Sequence, residues 1–390
     1  MDDSDSEQRL FTRPFVALGV AELAYFTAAG LLIAITPLFV TGPLGGDKVA
    51  VGVTVGAFSV TALLLRPWSG RAADTMGRRP LLIGGAFLCA LAVAGHLVTT
   101  DLAVLIGLRL VLGVAEALFF VAGITMLADL APPGREGEAI SFNSLALYLG
   151  IAFGPSAGEL LLEIGGFTLA WVGAVALSLT AAVLALALPE TGTRAAPGAE
   201  PARLIHRAAV GPSFGLFMGI VAMAGFLTFA TIYARNDLGM AGGGPALLTY
   251  GLVVVACRIV FAKLPDRVPP YRLAAAALAA IGVGATVAGT LTTFGGLIAG
   301  AAIAGFGVAF VTPAFFTAIA RRVRPAERGA ALGTLSIFLD LAFGGGPVVL
   351  GIVADAAGIP AAFLVAGAVA FLGAIGTAAA ALRRRAPATL

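Results

Sequence analysis

The sequence predicts an all-α membrane protein with twelve transmembrane helices arranged as two pseudo-symmetric six-helix bundles. Three observations carry this expectation. The 390-residue chain is 59% hydrophobic and only 12% charged, with a mean hydropathy of +1.00, which is more apolar surface than one soluble core can hide. Its apolar residues fall in unbroken runs of about 20, the length of a membrane-crossing helix. Landmarks of the first half return in the second at one fixed offset, the mark of a duplicated unit. Closed barrels also satisfy the backbone in lipid, but their strands alternate every other residue, and these runs do not.

Helix 1 is expected over 14–40, where FVALGVAELAYFTAAGLLIAITPLFV carries one charge, Glu22. The acidic MDDSDSEQRL before it lacks the basic head and short apolar core of a cleavable signal, so helix 1 itself is expected to target the chain and remain in it. Helix 2 (50–68) ends in RPWSGRAADTMGRRP, residues 66–80, which sets four arginines and an aspartate at one bend. Helix 3 (80–99) closes near His96, helix 4 (102–128) holds Arg109 and Glu116, and helices 5 (139–162) and 6 (168–188) complete the first bundle, 1–188. Residues 189–212, rich in Pro, Gly, Arg and Ala, read as a cytoplasmic linker. The second bundle, 213–390, places helices 7 to 12 at 213–234, 244–264, 272–293, 295–320, 329–353 and 360–382, with Asp340 in helix 11.

Of the 24 Lys and Arg, all but Lys48, Arg235 and the helix-embedded Arg109 fall on one side of this layout. By the positive-inside rule that side, with both termini and the linker, is cytoplasmic, and the expected location is a cell membrane, a bacterial inner membrane in particular. The basic loops thus read as topology signals rather than nucleic-acid contacts. Cys89 and Cys257 both fall in predicted helices, which argues against a disulfide framework and a metal site alike.

Seven pairs recur at an offset of 192: Arg66 and Arg258, Asp74 and Asp266, Gly113 and Gly305, Pro133 and Pro325, Gly137 and Gly329, Gly154 and Gly346, Pro155 and Pro347. Two similar bundles can rock about a shared midplane cavity, which is transporter architecture. A channel would need a filter or pore ring, and a membrane enzyme a nucleophile, base or metal set; HExxH and GxxxxGK[ST] are missing from the chain, and GxSxG occurs only at 154–158 and 211–215, without the strand-to-helix turn that a nucleophile elbow needs.

Gly70, Asp74, Gly77, Arg78 and Arg79 stand between helices 2 and 3, Arg109 and Gly113 in helix 4, and Gly150, Gly154, Pro155 and Gly158 in helix 5. With these motifs the chain resembles, over nearly its whole length, the major facilitator superfamily, and within it the twelve-helix drug:proton antiporter group. It departs from that group at Leu112, where Gln often stands, and at Glu159, where a further Gly does. The resemblance implies proton-coupled export, with Arg109 tuning the titrating group and Arg78 paired with Asp129 at the cytoplasmic end of helix 4. The residues support a similar reading. Gly70 permits close helix approach, Gly77 a tight turn, and Asp74 can face the positive amino-terminal end of a neighbouring helix. The cluster is expected to latch the halves together on the cytoplasmic side and part as the cavity opens inward, unless the basic loop serves topology alone. Its second-half copy keeps Arg258 and Asp266 without the glycines, so that latch is expected to be weaker. The stripe at 150, 154 and 158 allows close packing and Pro155 a bend, on a helix expected near the half-to-half interface.

An ionised side chain in the bilayer core costs at least about 2.5–3.5 kcal/mol, so it needs a partner, water or a proton. Glu22, Glu116 and Asp340 are expected at half depth and Arg109 nearer the outer side. Glu22 or Glu116 is the expected titrating group, against the alternative of a static buried ion pair. Tyr25, Asn143, Tyr148, Phe226, Tyr233 and Tyr250, with Thr54 and Ser59, are the expected cavity wall. Aromatics with few fixed charges suit an amphipathic or lipophilic substrate. The expected partners are a small molecule, protons and the bilayer, around a monomer without cofactor. Other readings stay open here: an uptake symporter, a sugar or metabolite exporter, or a non-transporting receptor or lipid-handling scaffold.

Overall fold

A computed structural model describes residues 10–132, 136–191, 205–323 and 328–383. The chain is helical almost throughout: α1 (Arg13–Thr41), α2 (Lys48–Met76), α3 (Arg78–Gly95), α4 (Leu102–Leu130) and a long helix, Glu136–Leu186. That helix is broken at Gly165 and at Gly166 (φ 68°), a backbone conformation an L side chain resists, and so forms α5 (136–164) and α6 (167–186). Then follow α7 (Arg207–Ile232), α8 (Gly244–Val260), a one-turn helix Leu264–Arg267, α9 (Pro270–Thr290), α10 (Phe294–Ala320), α11 (Arg328–Ala357) and α12 (Ile359–Arg383). The twelve long helices lie where the hydropathy runs placed them. Proline inside α1, α2, α5, α7, α10 and α11 is compatible with spanning because neighbouring helices re-satisfy the freed carbonyls.

Two boundaries differ most: α7 begins at Arg207, inside the 189–212 segment read as linker, and α2 runs past its expected end. The sequence reading ends the second helix at residue 68, whereas α2 continues through Pro67 to Met76, and the bend is Gly77 alone (φ 97°, ψ 161°). Charge lowers hydropathy but not helix propensity, so the basic segment extends the helix beyond the bilayer. At 1.5 Å per residue, the 29 residues of α2 span roughly 44 Å, well beyond a ~30 Å hydrocarbon core.

Two helices are buried far more than the rest. The most apolar windows of α1 and of Arg207–Asp237 are 72% and 89% buried, against 39–61% for the other long spans. Apolar on every side, they are the central helices of their surroundings. The repeat also survives at a helix start where the residue type changed. Asp101 caps α4 by accepting from Ala103 N (2.7 Å) and Val104 N (3.2 Å), and Thr293, its 192-offset counterpart, caps α10 by accepting from Gly296 N (3.0 Å).

The chain forms two compact units: Met1–Ile35 with Ala57–Ala199, and Thr36–Gly56 with Glu200–Leu390. In the first, α3 packs on α4 and on the 136–186 helix; in the second, α9 packs on α10 and α12, and α7 on α11 and α12. The helix 5 stripe meets α1. A Cβ on Gly150 would lie 2.5 Å from the Phe26 carbonyl carbon, one on Gly154 2.6 Å from the Thr27 oxygen, and one on Gly158 2.9 Å from Leu31. These contacts of the stripe lie within its own unit. Its counterpart on α11 does two things inside the second unit. Gly346 sits against Val221 of α7, while the backbone at Gly344 and Pro347 closes on Gly56 and Gly52 of α2.

Candidate functional site

The membrane-embedded charges of the first unit are organised by α4. Arg109, Glu116 and Gly123 are spaced by seven, so they follow one face of the helix at intervals of about 10 Å. Near the Asp101 end, Gly113 lets α2 approach until the Phe58 carbonyl and Thr61 hydroxyl occupy the place of a Cβ. Thr61 Oγ1 donates to the Leu110 carbonyl at 2.6 Å. Arg109, 6% exposed, lays its guanidinium over the Phe58 ring at 5.4 Å.

At the middle of α4, Glu116 Oε1 lies 3.3 Å from Arg66 Nη2, each side chain 20% exposed. Arg66 also covers the Phe120 ring at 4.8 Å. The cation on Glu116 is thus Arg66 of α2, which the sequence reading treated as part of a basic bend, rather than Arg109. One turn beyond the pair the helix turns apolar, and at Gly123 it meets α1. Glu22, 3% exposed, places Oε1 2.5 Å from where a Gly123 Cβ would stand. Gly123 is seven residues from the last residue of α4, about 10 Å, so Glu22 lies closer to the Asp129 end than the half depth expected for it.

A second cluster closes that end of the unit. Glu190 caps α3 with both oxygens, accepting from Arg78 N at 2.8 Å and Arg79 N at 3.2 Å. A carboxylate on the first amides satisfies orphan donors and meets the positive end of the helix. Asp74, expected in that role, instead pairs with Arg78 Nη2 at 3.3 Å and is half exposed. Buried Arg78 also reaches Asp129 Oδ2 with Nε at 3.1 Å and donates to the Ala73 carbonyl at 3.0 Å. Asp129 accepts from Thr191 Oγ1 at 2.8 Å, and Arg79 donates to the Leu186 carbonyl. These partners all belong to the first unit. The contacts tie together the ends of α2, α3, α4 and α6 within the first unit. Gly77 is required twice, by its positive φ and because the Glu190 carboxylate fills the space of a Cβ. At Gly70 nothing lies within 4 Å of a Cβ, so it makes no close helix approach.

The remaining expected residues scatter. Tyr25 stacks on Phe119, centroids 3.9 Å apart. Phe226 and Tyr233 each lie 5.6 Å from the Phe363 ring, and Tyr250 lies 6.2 Å from Phe226, all buried. Phe226 and Tyr233 flank an α12 aromatic that the sequence reading did not single out, and Tyr250 packs on Phe226. Asp340 is buried on α11, Thr54 and Ser59 are buried on α2, and Tyr148 is half-buried on α5. Arg258 ends α8, half-buried; the side chains of Asp266 and Asn143, and residues Pro133 and Pro325, lie outside the described residues. Arg66, Gly123 and Glu190 were missed. Gly123 had a readable signal in its spacing of seven from Glu116, and Arg66 in its recurrence as Arg258.

Among the described residues, these long apolar helices define a polytopic membrane protein. The chain matches the Major Facilitator Superfamily model over residues 18–288 and 246–390. It is 30% identical over 370 residues to an uncharacterized MFS-type transporter of Salmonella typhimurium, covering 92% of this chain and 94% of that one. It is 31% identical over 394 residues to an uncharacterized MFS-type transporter of Pseudomonas aeruginosa, covering 97% and 96%. Its fold is similar to that of a bacterial homolog of the human lysosomal transporter Spinster, with a TM-score of 0.77 at 14% identity and coverage of 96% and 98%. It is also similar to the human organic anion transporter MFSD10, with a TM-score of 0.72 at 18% identity and coverage of 94% and 99%. The chain belongs to the major facilitator superfamily, as a multi-pass secondary transporter and not an enzyme.

Proposed function

We propose that the protein is a proton-coupled exporter of small neutral or cationic amphipathic molecules, working by alternating access with protons entering as substrate leaves. The observation that carries this reading is the single face of α4 that presents Arg109, Glu116 and Gly123, with Arg66 of α2 and Glu22 of α1 brought to it. A carboxyl group in such surroundings exchanges its proton as local hydration changes. Protonating Glu116 removes its attraction for Arg66, which loosens α2 from α4, while Glu22 offers a second proton site near the Asp129 end. The membrane arginines of this unit are engaged, Arg66 by Glu116 and Arg109 against Phe58, which disfavours a strongly anionic substrate. Export and antiport rest on the helix 5 Gly and Pro motif, and the cytoplasmic position of both termini on the basic loops.

Proteoliposomes with an imposed pH gradient test the reading, using a panel of lipophilic cations and neutral amphiphiles. Accumulation should depend on the gradient and reverse with its sign. Glu22→Gln combined with Glu116→Gln should abolish coupled movement; full coupled transport in that variant would overturn the proposal.

A further inference from the structure

Between α7, α9, α10 and α12 of the second unit lies a cavity of about 500 Å³. Its walls are apolar, with Pro212, Met218 and Phe315 among them, and no acidic side chain among the described residues lines it. Two arginines line it, Arg207 in the first turn of α7 and Arg322 just past α10. Arg322 is held there by Tyr271, to whose hydroxyl it donates and over whose ring it lies at 5.7 Å. The cavity opens outward at two exposed glycines. Gly211 and Gly376 both line it, and a Cβ on either would meet nothing within 4 Å.

The duplication shows how unlike its counterpart this region is. At the offset of 192, Phe214 and Phe315 stand where Glu22 and Gly123 stand in the first unit. One copy encloses a carboxylate against α4, and the other opens an apolar cavity under two cations. The cavity is continuous with bilayer-facing surface, since Phe214 and Leu372 line it at 50% and 59% exposure, beside Val210 and Ile375 at 37% and 66%.

We propose that this cavity binds an anionic phospholipid of the adjacent leaflet, acyl chain between α7 and α12 and phosphate on Arg207 and Arg322. Guanidinium groups match phosphate oxygens in pairs of hydrogen bonds, and the span edge is where headgroups lie. Entry from the leaflet, rather than from water, follows from the exposed apolar rim. The site is independent of the coupling residues, so it stands or falls apart from the transport reading.

Native mass spectrometry of the full chain, released from micelles with phosphatidylglycerol or phosphatidylcholine of matched chains, tests it. The protein should retain phosphatidylglycerol preferentially, and Arg207→Gln with Arg322→Gln should lower that preference about five-fold or more. Gly376→Leu keeps both arginines, enters open space and should reduce retention of both lipids, which keeps the test decisive if the arginine variant does not fold. Equal retention of the two lipids, or no change in either variant, overturns the proposal. Dodecyl phosphate retained where phosphatidylglycerol is not would replace the lipid by a soluble anion and overturn it too.

Discussion

Gly123 is where a missing side chain makes room for a functional one. Glu22 occupies the space a Cβ would need, so Gly123→Val must displace the carboxylate or part α1 from α4. Coupled transport is expected to fall at least about ten-fold, with substrate binding by isothermal titration largely kept, because the loss lies in the proton step. Gly77→Ala tests a different kind of necessity. It combines positive φ with displacement of Glu190, and should destabilise by about 1–3 kcal/mol, read as a lower unfolding temperature in detergent. Arg66 and Glu116 call for a double-mutant cycle. Removing either alone strands a partly buried charge, whereas Arg66→Met with Glu116→Leu should recover much of the lost stability while transport stays absent. Stability that simply adds across the two variants would show that the pair is not coupled.

Helices were legible where apolar length decides and illegible where hydrogen bonding or packing does. The twelve runs could be read because each must cover hydrocarbon. The last turns of α2 could not, since Arg71 and Asp74 end an apolar run without ending a helix. Likewise the small-residue stripe of α5 announced a close partner but not its identity, because Gly150, Gly154 and Gly158 suit any helix that approaches; the partner is α1. Glu190 was invisible for a related reason, as capping α3 from 112 residues away depends on tertiary placement. The α1–α5 seam makes a sharp prediction. Gly154→Val pushes into the backbone at Thr27 and Gly30 and should cost about 1–3 kcal/mol, whereas Gly84→Val on α3, with nothing within 4 Å, should be nearly neutral. Equal unfolding temperatures for the two variants would remove the seam as a source of stability.

Duplication has kept the frame of the two halves and released their interiors. The frame persists in the central burial of α1 and α7 and in the matching caps Asp101 and Thr293, where geometry outlived residue type. The interiors diverged at Glu22 and Phe214, which is why proton chemistry is assigned to one half and a lipid cavity to the other. An even number of spans would place both termini and the 189–212 segment on one side, and the basic loops are the reason to propose that this side is cytoplasmic. Both native cysteines are buried, so single introduced cysteines report cleanly on sidedness in a background with both replaced by alanine. Pro43→Cys lies in the exposed turn between α1 and α2, and Ile205→Cys, at a position 62% exposed, lies just before α7. In intact cells a membrane-impermeant maleimide should label the first and not the second, and the second should become reactive only after permeabilisation. The reverse pattern would invert the molecule in the membrane and move Arg207 and Arg322 to the outer leaflet, while the direction of exchange would still follow the proton gradient.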